Sequence, residues 1–297
     1  MTSESDWVRL LRPLATHPGA RGLSDDAAVL EVGGEALVLT HDAMVEGVHW
    51  LSGQDPADVA WRLVAVNLSD LAAKGAEPIG VLLGYMLGQD DARFHEGLAE
   101  ALAAYDVPLL GGDTVSGGPP QALGLTAIGR ATHRPVPSRA GARPGDILYV
   151  TGPLGAGLAG FEALRDDTGE DSAAYRRPVP LLAEGRALAP HVSAMLDVSD
   201  GLLLDAKRMA EASDVTIAID SHAAPIALPE ERRAEALRCG DDYQLLFALP
   251  GGAEPPLAAY AIGEVLERGP TPLLIDGAEP AADEPLGYVH AAAPEDL

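Results

Sequence analysis

Lysine is nearly missing from this chain. Of its 20 basic residues only Lys74 and Lys207 are lysines, against 45 Asp plus Glu, and the formal net charge is −25. Such a surface repels nucleic acid and anionic lipid, which argues against DNA-, RNA- and membrane-binding roles. Cysteine is reduced to Cys239, which rules out an internal disulfide framework and fits a reducing compartment. Residues 1–7 (MTSESDW) show no basic segment leading into an apolar run, and no apolar stretch reaches membrane-spanning length. A cytoplasmic location is therefore expected. Familiar nucleotide and metal signatures are also missing: no G-x-x-x-x-G-K-[ST] loop, no protein-kinase set with DFG, no Cys/His cluster at zinc spacing.

What is present is material for a sizeable core, since 47% of the 297 residues are hydrophobic. Short apolar runs alternate with helical patterns, the signature of a mixed α and β (α+β) chain. Strands are expected at residues 36–40, 79–87, 107–110, 123–130, 146–151, 195–198, 215–219 and 245–249. Asp55-Pro56 opens a helix as N-cap and first-turn proline, with Gly75 as its stop. Further helices are expected over 92–104, 154–164 and 202–211. The Pro-rich stretch 134–144 (RPVPSRAGARP) marks a boundary between two domains, 1–134 and 135–297.

Carboxylates interrupt this apolar pattern at five places. Asp25-Asp26 precedes the run AAVL, and Asp42 follows the strand ALVLT. Asn67 and Asp70 lie three apart, on one face of the helix VAVNLSDLAA. Asp113 ends the strand in LLGGDT, and Asp197 and Asp200 flank Ser199 at a strand-to-helix turn. Taken singly, Asp200 reads equally well as a helix cap and Asp113 as a turn former. Together they form an oxygen-rich set suited to Mg²⁺, which takes oxygen ligands while bridging phosphates. The Gly-rich segment 151–160 (TGPLGAGLAG) reads either as a phosphate cradle at a helix N-terminus or as plain chain geometry.

In order along the chain, GLSDDAAVL, LTHDAMVEGVHW, AVNLSDLAAKGAEP, VPLLGGDT, SRAGARPGD, LDVSDGLLLD and GDDYQLLF resemble bacterial thiamine-monophosphate kinase. The resemblance implies the two-domain fold shared with aminoimidazole ribonucleotide synthetase. There the N-terminal domains of two subunits pair their sheets into a barrel, and a C-terminal α/β domain completes the nucleotide and substrate site. It implies a homodimer, ATP as co-substrate and several Mg²⁺ ions. By position it implies Asp26, Asp42, Asp70, Asp113, Asp197 and Asp200 as Mg²⁺ ligands, with Thr40 close to the metals. Gly112, Arg139, Ser199 and Tyr105, beside Asp113, match nucleotide contacts; His49, Asp241 and Tyr288 match substrate contacts. Three departures stand out: Ser24 in place of glycine, His41 in place of Thr or Ser, and Asp241 in place of a longer Glu.

The reaction this resemblance implies, transfer of the γ-phosphoryl group of ATP to thiamine monophosphate, needs no general base, because a phosphate monoester with a second pKa of about 6 is already largely ionised. Its difficulty is the mutual repulsion of two polyanions, which metal ions relieve. Within the same superfamily, aminoimidazole ribonucleotide synthetase is the enzymatic alternative. A non-catalytic metal–nucleotide binding protein is the alternative from another class.

Overall fold

The computed structural model describes residues 4–281 and 283–289. After a short helix α1 (Glu4–Leu11), the strands β1 (Ala28–Val32) and β2 (Glu35–Val45) form a hairpin. Then follow α2 (Pro56–Ala73), β3 (Ala76–Met86), α3 (Asp91–Ala104), β4 (Leu109–Val115) and β5 (Ala122–Ala131). The second half holds β6 (Ile147–Val150), α4 (Ala156–Arg165), α5 (Ala173–Arg176), α6 (Leu182–Leu188) and β7 (Ala194–Asp197). It continues with α7 (Leu202–Ser213), β8 (Thr216–Ile219), α8 (Arg233–Arg238), β9 (Leu245–Leu249), β10 (Tyr260–Leu266) and β11 (Leu273–Ile275).

Two sheets result. The first has the order β1-β2-β5-β3-β4, antiparallel except for the parallel β3–β4 pair. The second has the order β11-β8-β10-β6-β9-β7, antiparallel except for β8–β11. The mixed α and β architecture read from the sequence is thus present.

Helix α2 is central to the packing. Asp55 caps it, accepting from Ala57 N at 3.0 Å, with Pro56 in the first turn. Gly75, at a φ of 58°, follows its C-cap Lys74 and lets the chain turn into β3. Nearly every side chain of α2 is buried, so it lacks the usual polar stripe. One side packs on the first sheet through Leu63, Val64 and Leu71. Its last turn, Ala72 and Ala73, meets Met195, Leu245, Phe247 and Leu249 of the second sheet. The two halves therefore share α2 as a common wall.

Two strands differ from expectation in a way that matters for the site. Strand β2 runs on through Thr40, His41 and Asp42 to Val45, so Asp42 lies inside it rather than after it. Period two puts Ala36, Val38, Thr40, Asp42 and Met44 on the face toward α2. Likewise β4 starts later than expected and contains Asp113 rather than ending at it.

Candidate metal and phosphate site

The site forms where β2, α2 and β7 converge at the seam. From β2 come Thr40 and Asp42, taking inward positions that Val38 and Met44 fill with apolar side chains. From α2 come Asn67, Ser69 and Asp70, and the C-terminal end of β7 supplies Asp197. Hydrogen bonds tie these elements together. Asn67 Oδ1 accepts from Asp42 N at 3.0 Å, while its amide donates to Leu63 O at 2.9 Å. Ser69 Oγ donates to Asp197 Oδ2 at 2.5 Å, and Thr40 Oγ1 donates to Asp70.

Carboxylate oxygens of Asp26, Asp70 and Asp197 lie within 4.8 Å of one another. Like charges packed this tightly away from water hold each other's protons. Burial, then Asp42, Asp197 and Asp26, push Asp70 well above the usual carboxylate range. Burial and Asp26 push Asp197 up to about 7, and burial with Asp26 and Asp200 pushes Asp42 up to about 6. Asp26 goes the other way: burial opposes its ionisation, but Arg139 and Lys74 outweigh burial and lower it.

The basic residues behind Asp26 form a layer of their own. Lys74 Nζ sits 2.5 Å from Asp25 Oδ1 and 2.6 Å from Asp26 Oδ2, while Arg139 pairs with Asp26 Oδ1. Asp25 is further held by Arg21, by Ser138 Oγ at 2.8 Å and by Arg139 N at 3.1 Å. Of the pair Asp25-Asp26, Asp25 is thus satisfied entirely by protein donors.

Asp42, Asp70 and Asp197 open into a cleft of about 520 Å³ that is also lined by His49, Ser199, Asp200, Asp241 and Tyr288. His49 stands in the turn after β2, where its Nδ1 accepts from Val45 N at 3.0 Å, which puts the proton of the neutral ring on Nε2. Asp200 accepts from Arg208, and its own N–H is taken by Asp205 Oδ2 at 3.0 Å, so Gly201 and not Asp200 caps α7. Tyr288 N donates to Asp200 O at 2.9 Å, which holds Tyr288 over this turn. The loop 239–244 is zipped to it as well, through Asp241 N to Ser199 O and Tyr243 N to Val198 O, both 2.9 Å.

Asp241 itself is gripped from two sides. Arg62, 2% exposed, forms an ion pair with it at 2.5 Å, and Tyr243 Oη donates to it at 2.9 Å. The guanidinium of Arg62 also lies 4.3 Å from the Tyr175 ring centroid. Both Asp241 and Tyr243 hold left-handed backbone, with φ of 69° and 52°. Arg62 and Lys74 were not singled out from sequence, although each is a charged residue in an apolar helical segment, the signal that found Asp70.

Other expected residues lie elsewhere. Gly112 and Asp113 sit on β4, whose seven residues are all exposed. In register, Asp113 pairs with Gly84, Gly84 with Gly124, and Gly124 with Ala43. Asp113 is thus level with Ala43, three strands or about 14 Å away by strand spacing, and on the sheet face opposite to Asp42. A Cβ on Gly112 would come 1.9 Å from Leu83 O, so close pairing with β3 already demands glycine there. Tyr105 packs edge-on against Trp61, with centroids 5.6 Å apart, at the C-terminus of α3. His41 lies on the opposite face of β2, bonded to Thr126 at 2.9 Å. At the Gly-rich turn, Gly155 N and Gly157 N donate to the chain's own Asp242 at 2.7 and 3.1 Å. The amides that would cradle a phosphate there are occupied by that carboxylate.

Residues 24–131 match the AIR synthase related protein N-terminal domain, and residues 143–272 match its C-terminal domain. The thiamine-monophosphate kinase of Caulobacter vibrioides is 41% identical over 83% of this chain and 77% of its own length. That of Escherichia coli K12 is 33% identical over 92% of both chains. A solved structure described as AaThiL complexed with AMPPCP and TMP superposes with a TM-score of 0.86, at 30% identity and 97% coverage of both chains. On this similarity, carried over nearly its whole length, the chain belongs to the thiamine-monophosphate kinase family.

Proposed function

We propose that the chain transfers the γ-phosphoryl group of ATP to the phosphate of thiamine monophosphate, giving thiamine diphosphate and ADP. The observation that carries this reading is the group of Asp26, Asp70 and Asp197, of which Asp70 and Asp197 line a cleft shared with Arg62, Asp241 and Tyr288. The donor set suits Mg²⁺, being all oxygen and strongly anionic. Bound there, Mg²⁺ ions would screen and align the donor and acceptor phosphates. In this reading Asp26, Asp42, Asp70, Asp197 and Asp200 are the ligands, joined by Asp113, with Thr40 orienting Asp70.

The remaining chemistry belongs to side chains. An oxygen of the acceptor phosphate forms the new bond to the γ-phosphorus as the bond to the ADP oxygen breaks in line. No proton need move, since the acceptor is already ionised. Arg139, Ser199, Gly112 and Tyr105 are the nucleotide contacts of this reading, and Arg139 supplies a planar, permanent cation suited to phosphate. At the acceptor end, Asp241 and the Tyr288 ring face the cationic thiazolium, while His49 contacts a phosphate or hydroxyl oxygen of the acceptor. Residues 1–134 and 135–297 each contribute part of the site.

A homodimer belongs to the same reading. Its support is β4, an exposed sheet-edge strand that carries Leu109, Leu110 and Val115 at 48%, 52% and 52% exposure. Such an edge needs a cover. Among the described residues no helix is long and apolar enough to cross a membrane.

The test is incubation with ATP, Mg²⁺ and thiamine monophosphate, with free thiamine as control. Thiamine diphosphate should form from the monophosphate and not from thiamine. No product at any Mg²⁺ concentration would overturn the reading.

A further inference from the structure

Lys74 is an unusual lysine. It has no exposed surface, and lysine is almost never wholly buried unless paired. Its ammonium has three hydrogens to donate and three oxygens within reach: Asp25 Oδ1 at 2.5 Å, Asp26 Oδ2 at 2.6 Å and Met195 O at 3.3 Å. Two anionic oxygens and a carbonyl oxygen around one positive centre are the surroundings of a bound cation. One of those oxygens belongs to Asp26, which also faces Asp70 and Asp197. The chain's other lysine offers the contrast. Lys207 lies on the surface, its side chain 38% exposed and 3.9 Å from Glu211.

We propose that the Lys74 ammonium is a permanent cation of the carboxylate centre, occupying on Asp25 and Asp26 the place a divalent ion would otherwise take. This rests on the reading of that centre as a Mg²⁺ site. The ammonium has two consequences. It leaves fewer oxygens of Asp26 open, so that Mg²⁺ sees a partly neutralised site and binds less tightly than the bare carboxylates would allow. It also keeps Asp26 ionised and in place while ions come and go, because its charge cannot diffuse away. Magnesium demand at the centre is correspondingly lower by one position.

The test needs no turnover. Mg²⁺ is titrated into nucleotide-free wild type, Lys74→Met and Lys207→Met, following heat of binding and thermal unfolding in parallel. Both variants change the net charge equally, but only the first empties the buried position. Lys74→Met should bind Mg²⁺ at least about tenfold more tightly than wild type, about 1.4 kcal/mol. Its unfolding temperature should also rise more on adding Mg²⁺, as linkage requires. Lys207→Met should follow wild type. Equal Mg²⁺ affinity in Lys74→Met and wild type would overturn the inference, as would an equal shift in both lysine variants. A Lys74→Met chain that folds at no Mg²⁺ concentration would overturn it too, because the metal then cannot stand in for the ammonium. If Mg²⁺ affects none of the three proteins, it is the metal-site reading itself that falls.

Discussion

Replacing Asp197 with Asn should make the metal-free protein more stable and the enzyme inactive. Asp197 is 4% exposed, and burial together with Asp26 pushes it from an ordinary 3.8 up to about 7. Between those two values the folded chain keeps a proton that the unfolded chain has released. Stability therefore falls as pH rises through that window, and above about 7 the whole difference is lost. Three pK units correspond to about 4 kcal/mol at 1.36 kcal/mol each. Because Asp42 and Asp70 relax when their neighbour is neutralised, the recoverable part is of order 2–4 kcal/mol. Asn is nearly isosteric: its carbonyl can still accept the Ser69 hydroxyl, and its amide N–H groups face the carboxylates of Asp26 and Asp70 as acceptors. In EDTA at pH 8, Asp197→Asn should unfold about 5–10 °C above wild type. The gap should close towards pH 4, and Mg²⁺ should narrow it by stabilising wild type more. Thermal unfolding at both pH values, with and without Mg²⁺, measures the stability changes, and a turnover assay measures the loss of activity. A variant no more stable than wild type at pH 8 in EDTA would refute the electrostatic argument.

Three further outcomes follow from the same geometry. Asp242→Ala removes the acceptor of two amides at the start of α4 and should cost about 1–2 kcal/mol of stability, read by urea denaturation, with turnover per folded molecule little changed. Arg62→Met leaves Asp241 without its buried partner and should raise KM for thiamine monophosphate at least about tenfold while KM for ATP holds; equal effects on both substrates would detach Arg62 from the acceptor. Asp113→Asn should lower turnover sharply with unchanged circular dichroism, since the side chain lies on an exposed strand and supports no core packing; wild-type turnover would remove Asp113 from the metal set.

Much of the site was legible because the chain breaks its own pattern there. An aspartate among Val64, Val66, Leu68 and Leu71 has no place on a helix that is apolar on nearly every side, and Asp70 stood out for that reason. Strand limits were less legible. Thr40 and Asp42 look like the end of a run, yet they keep its alternation, and tertiary packing against α2 carries the strand to Val45. Strand β10 was missed. Its Gly263 reads as a breaker, but a Cβ there would come 2.1 Å from Ala218 O, so the strand needs the glycine that hides it. The capture of the α4 N-terminus by Asp242, some 87 residues away in sequence, left no local mark at all.

The cations were harder to see than the anions, for a physical reason. A buried carboxylate at a strand end suggests a ligand on its own, because it calls for a positive partner that the local sequence does not show. A basic residue in an apolar helix breaks the pattern as Asp70 does, but its role waits on its partner: Arg62 finds Asp241, and Lys74 finds Asp25 and Asp26, only through the fold. Yet these cations decide which aspartates stay ionised. Asp26 is lowered because Arg139 and Lys74 outweigh its burial, whereas Asp70 and Asp197, with no such partner among their causes, are raised. One cluster thus holds a carboxylate anchored by protein charges beside two whose ionisation calls for a cation from outside. In the proposed reaction, that asymmetry would let the folded chain tolerate the metal-free state while the two raised carboxylates wait for Mg²⁺.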